Sequence, residues 1–240
     1  MNISTVTDGI RKVLPLKYCG AVIVAAGNAS RMGGIDKVMA ELEGEPMILR
    51  TVRTFQTCDA IKEIVIVTRE DLIVPIMGLC KDFDKVRAVV RGGSSRQESV
   101  AMGLGALSNK VKLVAVQDGA RPLITHAVID RTVRAAHTYG AAAPAVPVKD
   151  TIKVVTGGVV SSTPDRSTLR AVQTPQVFDL DLLKGALKKA KEDGAEVTDD
   201  CSAVERLGMS IKIVEGDEKN IKITTPMDLS IAKLLMEGVE

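Results

Sequence analysis

The stretch that decides the fold is residues 21–37, AVIVAAGNASRMGGIDK. Residues 21–25 are apolar and partly β-branched, and the run is too short for a helix, so it predicts a buried strand of a parallel sheet. Small residues follow, and they let the backbone approach a ligand closely. Arg31 and Lys37 then add a planar guanidinium and a mobile ammonium, a pair that suits a polyphosphate. The stretch predicts a nucleoside triphosphate site, although an ordinary strand-to-helix turn with two solvated cations fits it equally well.

Two common phosphate-binding loops do not match this stretch. A dinucleotide fingerprint, G-x-G-x-x-G, needs a second glycine where Ala29 stands and a third that is absent. A Walker A loop needs G-x-x-x-x-G-K-S/T, whereas Lys37 follows Asp36 and precedes Val38. The failed glycine fingerprint also argues against a nicotinamide-dependent oxidoreductase.

Strand-like and helix-like segments alternate along residues 21–150. Short apolar runs predict strands at 21–25, 64–68, 86–90, 113–116 and 141–146. Helical spacing predicts helices at 46–58, 71–79, 125–139 with Thr125 as the cap, and from Ser94 or Ser95 to Leu107. Pro75 must lie in the first turn of its helix or break it. The alternation predicts an α/β fold with a doubly wound, mostly parallel sheet.

The pattern changes after residue 150. Two β-like runs, 151–155 and 159–163, flank Thr156-Gly157-Gly158 and predict a protruding β-hairpin arm. An isolated hairpin is marginal in water, so the arm is expected to lean on another surface, such as a second subunit. Further signals predict helices at 179–192, 198–207 (capped by Thr198) and 226–236, and a strand at 211–214. The simplest organisation is an extension over 1–17 and one domain over 18–240, with the arm at about 150–175.

Composition argues against several classes of protein. Thirty-two basic and 30 acidic residues leave a net charge of +2, so no overall field favours a nucleic acid or a membrane surface as partner. With no Trp, three Phe and two Tyr, the chain lacks aromatic platforms for stacking bases. Four scattered Cys and two His disfavour a zinc site and indicate a reducing compartment. Charged residues interrupt the first 20 positions, so we expect no signal peptide or membrane span, and a cytoplasmic protein.

Three later segments are expected near the edge where the strands end, because ligands of open parallel sheets bind there. Residues 91–99, RGGSSRQES, combine paired glycines with hydroxyls at a helix start, which suits ribose or base recognition; a plain turn with a solvated Arg96 is the alternative. Asp118 follows a predicted strand, where it could hold Mg²⁺ together with substrate phosphates or merely cap a loop. Lys222 could point into the same cleft, although an isolated lysine is more often solvated.

Seven motifs occur in a specific order along residues 21–229. They are AAGNASRMG with Lys37, RGGSSRQESV, QDGARP, PAVPVKDTIK, LRAVQTPQVF, VTDDCSAVE and GDEKNIKITTPMDL. In this order and spacing the chain resembles the 2-C-methyl-D-erythritol 4-phosphate cytidylyltransferases of the non-mevalonate isoprenoid pathway. The resemblance implies a Rossmann-like nucleotidyltransferase fold and an in-line attack of the substrate phosphate on the α-phosphorus of CTP, which releases pyrophosphate. That reaction needs positioning and charge stabilisation rather than a protein nucleophile.

The resemblance also implies roles for individual residues. The catalytic cations would be Arg31, Lys37 and Lys222. The nucleotide would meet Ala25, Ala26, Gly27, Gly93, Ser94 and Ser99, and Mg²⁺ would bind Asp118. The methylerythritol phosphate would meet Arg121, Thr151, Arg166, Thr174 and Thr198. In this family the arm crosses to the second subunit of a homodimer, so Arg166 is expected to serve the neighbouring site.

The chain departs from the family pattern at three positions. Ala29 stands where a second glycine is common, and Gln117 replaces a common His before Asp118. Asp36 occupies the place of a frequent Pro before Lys37, where it either holds the lysine or offsets its charge. Two other functions stay open: a cytidylyltransferase for another polyol phosphate, such as ribitol 5-phosphate, and a nucleotide-binding regulator without turnover.

Overall fold

The computed structural model describes residues 15–27 and 37–237, and of Lys37 the backbone only. Most of the predicted extension, together with Arg31 and Asp36, therefore lies outside the described residues. The strands are β1 (Cys19–Ala25), β2 (Glu41–Leu42), β3 (Glu45–Pro46), β4 (Glu63–Thr68), β5 (Val86–Arg91), β6 (Leu113–Asp118), β7 (Ala141–Pro147), β8 (Val154–Thr156), β9 (Val159–Ser162), β10 (Arg170–Val172), β11 (Gln176–Asp179) and β12 (Lys212–Glu215). The α-helices are α1 (Met47–Thr57), α2 (Ile73–Leu79), α3 (Arg96–Ala106), α4 (His126–Tyr139), α5 (Leu180–Glu192), α6 (Asp200–Glu205) and α7 (Pro226–Met236).

The main sheet is mostly parallel. Its order is β5-β4-β1-β6-β11-β7-β10, and β12 pairs with β7 as well. The pairings of β1 with β4 and β6, of β4 with β5 and of β7 with β12 are parallel. By contrast, β11 runs antiparallel to both β6 and β7, and β10 runs antiparallel to β7. The predicted doubly wound, mostly parallel sheet is confirmed.

The residues of β1 explain why helices cover both faces of the sheet. Ala21 and Ile23 pack into a core with residues of α1, α2 and α4, whereas Val22 packs on the opposite face with residues of α3, α5 and α6. A strand buried on both faces needs a continuous apolar run rather than an alternating one, which is what residues 21–25 supply.

Of the two predicted threonine caps, Thr198 is wrong and Thr125 stands where it was expected. Asp199, not Thr198, is the N-cap of α6, and its carboxylate accepts a hydrogen bond from Ser202 N at 2.8 Å. Thr125 stands at the N-cap of α4, but its side chain makes no capping hydrogen bond.

Pro75 lies within the first turn of α2, the position at which a helix tolerates proline.

The hairpin forms where it is predicted, though its strands are shorter. Gly157 and Gly158 have φ angles of +59° and +80°, as expected for the two central residues of a type I′ turn. Every residue from 149 to 163 is exposed. The other described residues of the chain therefore do not cover this hairpin. Among the described residues, no helix combines the length and apolar character needed to cross a bilayer.

Candidate active site

A cleft of about 520 Å³ opens at the carboxyl ends of β1, β4, β5 and β6. Because these strands are parallel, the loops that follow them meet at one edge of the sheet. The walls include Ala25 at the end of β1 with Ala26 and Gly27 after it, residues 91–96 from the end of β5 onward, and Asp118 at the end of β6. Lys222 reaches the same cleft from the chain before α7. Four segments that were predicted to approach a ligand are therefore brought together.

A glycine allows the loops after β1 and β5 to touch. A Cβ atom on Gly92 would lie 2.4 Å from the Cβ of Ala26 and 2.8 Å from Ser99 Oγ, distances that a side chain cannot occupy. The close approach places the small residues after β1 directly beside the hydroxyl-rich loop after β5. Only a glycine at this position lets both loops line one cleft.

The hydroxyl groups of the loop after β5 are bonded within the loop. Ser95 is the N-cap of α3, and its Oγ accepts a hydrogen bond from Glu98 N at 3.1 Å. Ser99 Oγ accepts from Gly93 N at 3.1 Å and donates to Ser95 O at 2.9 Å. Ser94 Oγ donates to Glu98 Oε2 at 2.6 Å. These bonds fix the shape of the loop that borders the cleft.

Asp118 lies among three cations. Lys222 Nζ is 2.8 Å from Oδ2, Arg121 Nε is 3.6 Å from Oδ2, and Arg96 Nε is 3.6 Å from Oδ1. The Asp118 side chain is only 11% exposed, whereas that of Lys222 is 42% exposed. Burial alone would raise the pKa of Asp118, but the attraction of Lys222 and then of Arg96 outweighs burial and lowers that pKa. Asp118 is therefore an ionised carboxylate at neutral pH.

Arg96 joins Asp118 to a second, deeper carboxylate. Its Nη2 atom is 2.8 Å from Oδ2 of Asp200, whose side chain is 1% exposed. Burial raises the pKa of Asp200, and the charge of Arg96 opposes that rise. The backbone N–H groups of Asp200 and Cys201 both donate to Gln176 Oε1 at 3.1 Å. Arg96 is thus an ion-paired residue, and its alternative interpretation as a solvated charge is wrong.

The carboxylate of Asp118 suits a magnesium site that substrate phosphates complete. Lys222 takes one oxygen, while the other oxygen has no cation closer than 3.6 Å among the described residues. The described residues contain no cluster of three or more His, Cys, Asp or Glu that could hold a metal by themselves. One carboxylate supplemented by phosphates and water is a common arrangement for Mg²⁺. The donor set therefore fits this ion.

Comparisons with known proteins identify the family of the chain. The sequence model of the family described as "2-C-methyl-D-erythritol 4-phosphate cytidylyltransferase" matches residues 19–238. The chain belongs to this family. A relative of that name from Caldanaerobacter subterraneus subsp. tengcongensis is 44% identical over 221 residues, which cover 90% of this chain and 97% of the relative. One from Geobacillus kaustophilus is 45% identical over 219 residues, covering 90% of this chain and 96% of the relative.

A solved structure is similar along nearly the whole chain. The crystal structure of 4-diphosphocytidyl-2C-methyl-D-erythritol synthase from Anaerococcus prevotii has a TM-score of 0.84 and 31% sequence identity, and the match covers 92% of this chain and 99% of that one. The predicted family of cytidylyltransferases is thereby confirmed, together with the fold. The roles of individual residues remain predictions.

Two of the residues predicted to contact the methylerythritol phosphate lie at Asp118. The Thr174 side chain is buried, and its Oγ1 accepts a hydrogen bond from Asp118 N at 3.1 Å. Arg121 lies beside the carboxylate and donates from Nη1 to Asn220 O at 2.6 Å. Both residues therefore contact Asp118 directly.

The other three lie on the arm or just before α6, and none of the five residues predicted to contact the methylerythritol phosphate lines the cleft. Thr151 and Arg166 belong to the arm and its base, where Arg166 Nη1 donates to Lys149 O at 2.6 Å. Thr198 is exposed just before α6. Of the catalytic cations, Lys222 is placed at Asp118; Arg31 lies outside the described residues, and Lys37 is described only as the start of a 3₁₀ turn, Lys37–Met39.

Several buried polar residues around Asp118 were not predicted. They are Gln173, Gln176, Asp200 and Asn220, each no more than 7% exposed. All four lie inside the seven motifs that match the family, and that match is the sequence feature that could have indicated them. Their side-chain partners are distant in sequence and so could not be predicted: Asn220 binds Gln173, 47 positions away, and Asp200 pairs with Arg96 of another motif.

Proposed function

We propose that this protein transfers CMP from CTP to 2-C-methyl-D-erythritol 4-phosphate, giving 4-diphosphocytidyl-2-C-methyl-D-erythritol and pyrophosphate, in isoprenoid precursor biosynthesis. The observation that carries the proposal is an ionised Asp118 among Lys222, Arg96 and Arg121 at the strand ends, in a chain of the cytidylyltransferase family. Such a group of opposite charges can hold a polyphosphate and a metal ion at one place.

The proposed chemistry needs no protein nucleophile. The phosphate of the acceptor attacks the α-phosphorus of CTP in line with the departing pyrophosphate, so the protein contributes position and charge stabilisation. In this proposal Arg31, Lys37 and Lys222 stabilise the negative charge that gathers on the α-phosphate during the transfer. Lys222 is the best supported of the three, since its ammonium already lies in the cleft.

In this proposal the nucleotide binds to the two loops that Gly92 allows to approach each other. In this proposal Ala25, Ala26 and Gly27 surround the triphosphate, because small residues leave their backbone N–H groups accessible. Gly93, Ser94 and Ser99 meet the cytosine and ribose, and their mutual hydrogen bonds keep that loop in one shape before the nucleotide arrives.

Mg²⁺ is the proposed cofactor, held by Asp118. When bound, it would draw the phosphates together and neutralise part of their charge. The contribution of the chain is to keep Asp118 ionised, through Lys222 and Arg96, in the wall of the cleft.

The acceptor is assigned to Arg121, Thr151, Arg166, Thr174 and Thr198. Because Thr151 and Arg166 lie on the arm and not in the cleft wall of their own chain, we propose that the arm crosses to a second subunit of a homodimer. Four exposed valines of the hairpin, Val154, Val155, Val159 and Val160, are 45% to 70% exposed. Such a surface is expected to be covered by a partner.

The remaining assignments concern the chain as a whole. We propose one catalytic domain over residues 18–240, with the arm at about 150–175, and an extension over residues 1–17 before it. A cytoplasmic location is supported by four cysteines that are all buried and unpaired. The substrates are the small molecules CTP and methylerythritol phosphate, and no nucleic acid or membrane takes part.

The test is pyrophosphate release by the purified protein with Mg²⁺ and CTP, comparing methylerythritol 4-phosphate with ribitol 5-phosphate. Release with the former alone is the expected result. Release with ribitol 5-phosphate alone would keep the chemistry and overturn the acceptor. Folded protein that binds CTP and releases no pyrophosphate with either acceptor would favour a regulator without turnover.

A further inference from the structure

Lys222 lies on a segment that forms no helix or strand. Residues 216–225 lie between β12 and α7 and have no regular secondary structure. A lysine side chain loses much conformational freedom when it is held in one place, and a loose backbone would add to that cost. Something in the surrounding structure must therefore fix the backbone of this segment before Lys222 Nζ can lie 2.8 Å from Asp118.

Asn220 anchors this segment from inside the protein. Its side chain is completely buried. The Nδ2 atom donates hydrogen bonds to Gln173 Oε1 at 3.2 Å and to Thr174 O at 3.0 Å. Its backbone oxygen accepts from Arg121 Nη1 at 2.6 Å. A fully buried side chain cannot contact substrate, so any effect of Asn220 on the reaction must pass through its neighbours.

Gln173 binds the same segment at a second point. Its Nε2 donates to Asp217 O at 2.8 Å, and its Oε1 accepts from Asp217 N at 3.2 Å as well as from Asn220. Its own backbone N–H donates to Pro144 O of β7 at 2.8 Å. Gln173 thus ties both Asp217 and Asn220 to the main sheet.

The next residue connects this anchor to Asp118. Thr174 Oγ1 accepts a hydrogen bond from Asp118 N at 3.1 Å, while Thr174 O accepts from Asn220. The dipeptide 173–174 therefore contacts the strand that carries Asp118 on one side and the segment that carries Lys222 on the other. A shift of the segment would separate the ammonium from the carboxylate.

We propose that Asn220 and Gln173 are positioning residues that hold Lys222 against Asp118. The inference rests on the proposed function for the part that Lys222 plays, but the placement itself is a property of the chain alone. It predicts that loss of the Asn220 amide lowers kcat far more than it raises KM for CTP, because the hydrogen bonds of Asn220 beyond its own segment go to Gln173, Thr174 and Arg121 and, among the described residues, not to 25–27 or 91–99.

A double-mutant cycle tests this proposal. Asn220→Ala is expected to lower kcat by about 10- to 100-fold, as misplacement of a catalytic group by about 1 Å does. In a Lys222→Ala background the same change should cost less than about threefold, since mutations coupled through one backbone segment are not additive. An equal loss in both backgrounds would show that Asn220 does not act through Lys222 and would overturn the proposal.

A second measurement does not depend on activity. Acylation of lysine amines, followed by peptide mass spectrometry, reports how freely each ammonium moves. Lys222 should react faster in Asn220→Ala than in the parent, relative to the exposed Lys110. Unchanged reactivity in folded Asn220→Ala protein would overturn the proposal whatever the substrate is, whereas an inactive parent enzyme would count only against the proposed function.

Two further variants control for general damage. Gln173→Ala replaces Asn220→Ala if the latter does not fold, and it should give the same pattern. Gln56→Ala removes an amide that also fastens a loop, since Gln56 Oε1 accepts from Lys85 N at 3.1 Å, but far along the chain from the cleft segments. It should leave both kcat and the reactivity of Lys222 unchanged.

Discussion

At the scale of single residues, the ion pair between Lys222 and Asp118 makes a sharp prediction about catalysis. Lys222→Ala should lower kcat by about 100- to 1000-fold, the range found when one donor to a developing charge is removed. The fold should survive, because the Lys222 side chain is 42% exposed. Steady-state kinetics and circular dichroism measure the two effects. Lys219→Ala, three positions away and exposed, is the control, and near-normal turnover of Lys222→Ala would remove Lys222 from the site.

The buried pair of Arg96 and Asp200 makes a prediction about stability and pH. Arg96→Met leaves the carboxylate of Asp200, 1% exposed, without a cation, and should lower the free energy of unfolding by about 3–5 kcal/mol at neutral pH. Burial already raises the pKa of Asp200, and loss of Arg96 raises it further. The folded variant then keeps a proton that the unfolded chain releases above pH about 4. The deficit should therefore grow as the pH rises from 5 to 8, as urea unfolding would measure.

The control for this prediction removes the titrating group. In an Asp200→Asn background no carboxylate remains at this position, so adding Arg96→Met should give a loss that hardly depends on pH. A deficit of Arg96→Met alone that stays constant between pH 5 and 8 would contradict the assignment of the effect to Asp200.

Residues of the site were predictable from sequence to different degrees. Asp118 and Lys222 are reactive types within motifs, and each was expected in the cleft that the structure gives them. Asp200 and Asn220 were missed because their roles depend on burial and on partners distant in sequence, Arg96 and Gln173. The type of a residue indicates which chemistry its side chain can perform. Which partners that side chain contacts depends on the packing of the folded chain.

At the scale of elements, the N-terminus of α7 predicts a pH-dependent contribution to stability. Asp228 Oδ2 accepts hydrogen bonds from Thr224 N and Thr225 N, both at 2.8 Å. Burial opposes ionisation of Asp228, but these hydrogen bonds outweigh it and lower the pKa of Asp228. A lowered pKa stabilises the fold above pH about 4 and the gain is lost as the pH falls below it. Asp228→Ala should cost about 1 kcal/mol at pH 7 and much less at pH 3, by urea unfolding.

A matched acid lies in the first turn of α5. Asp181 is exposed, and among the described residues its carboxylate accepts no hydrogen bond. Asp181→Ala should therefore cost less than Asp228→Ala at pH 7. Equal costs would mean that the charge near a helix N-terminus, and not the capping hydrogen bonds, accounts for the effect.

Helices, strands and turns were predictable where the residues that specify them are adjacent in sequence. The helix α7 was predicted with its exact bounds, because Pro226 stands at its first position and helical spacing follows. The hairpin turn was predictable because two glycines permit positive φ angles. The strands β10 and β11 were missed: they have three and four residues, Pro175 separates them, and their pairing with β6 and β7 depends on residues distant in sequence.

At the scale of the whole molecule, the arm could contribute Arg166 to the active site of its own chain or to that of a second subunit. Arg166 lies at the base of the arm and donates to Lys149 O, and it does not line the cleft of its own chain. Lys37 begins the turn beside Val38, which does line that cleft. If the arm crosses between subunits, each active site combines Lys37 of one chain with Arg166 of the other. Single variants of either residue should then disable both sites of a homodimer.

Mixing two inactive variants distinguishes the two arrangements. Lys37→Ala and Arg166→Ala proteins, mixed in equal amounts and allowed to exchange subunits, should form hybrids in which one site has both residues intact and the other has neither. Random exchange makes about half of the dimers hybrid, so about one quarter of all sites should recover, measured as pyrophosphate release. If Arg166 acts within its own chain, every site of the hybrid lacks one residue and no activity returns. Exchange is verified by tagging one variant. Absence of recovery among verified hybrids would rule out the crossed arm, because a crossed arm leaves one site with both residues intact in every hybrid.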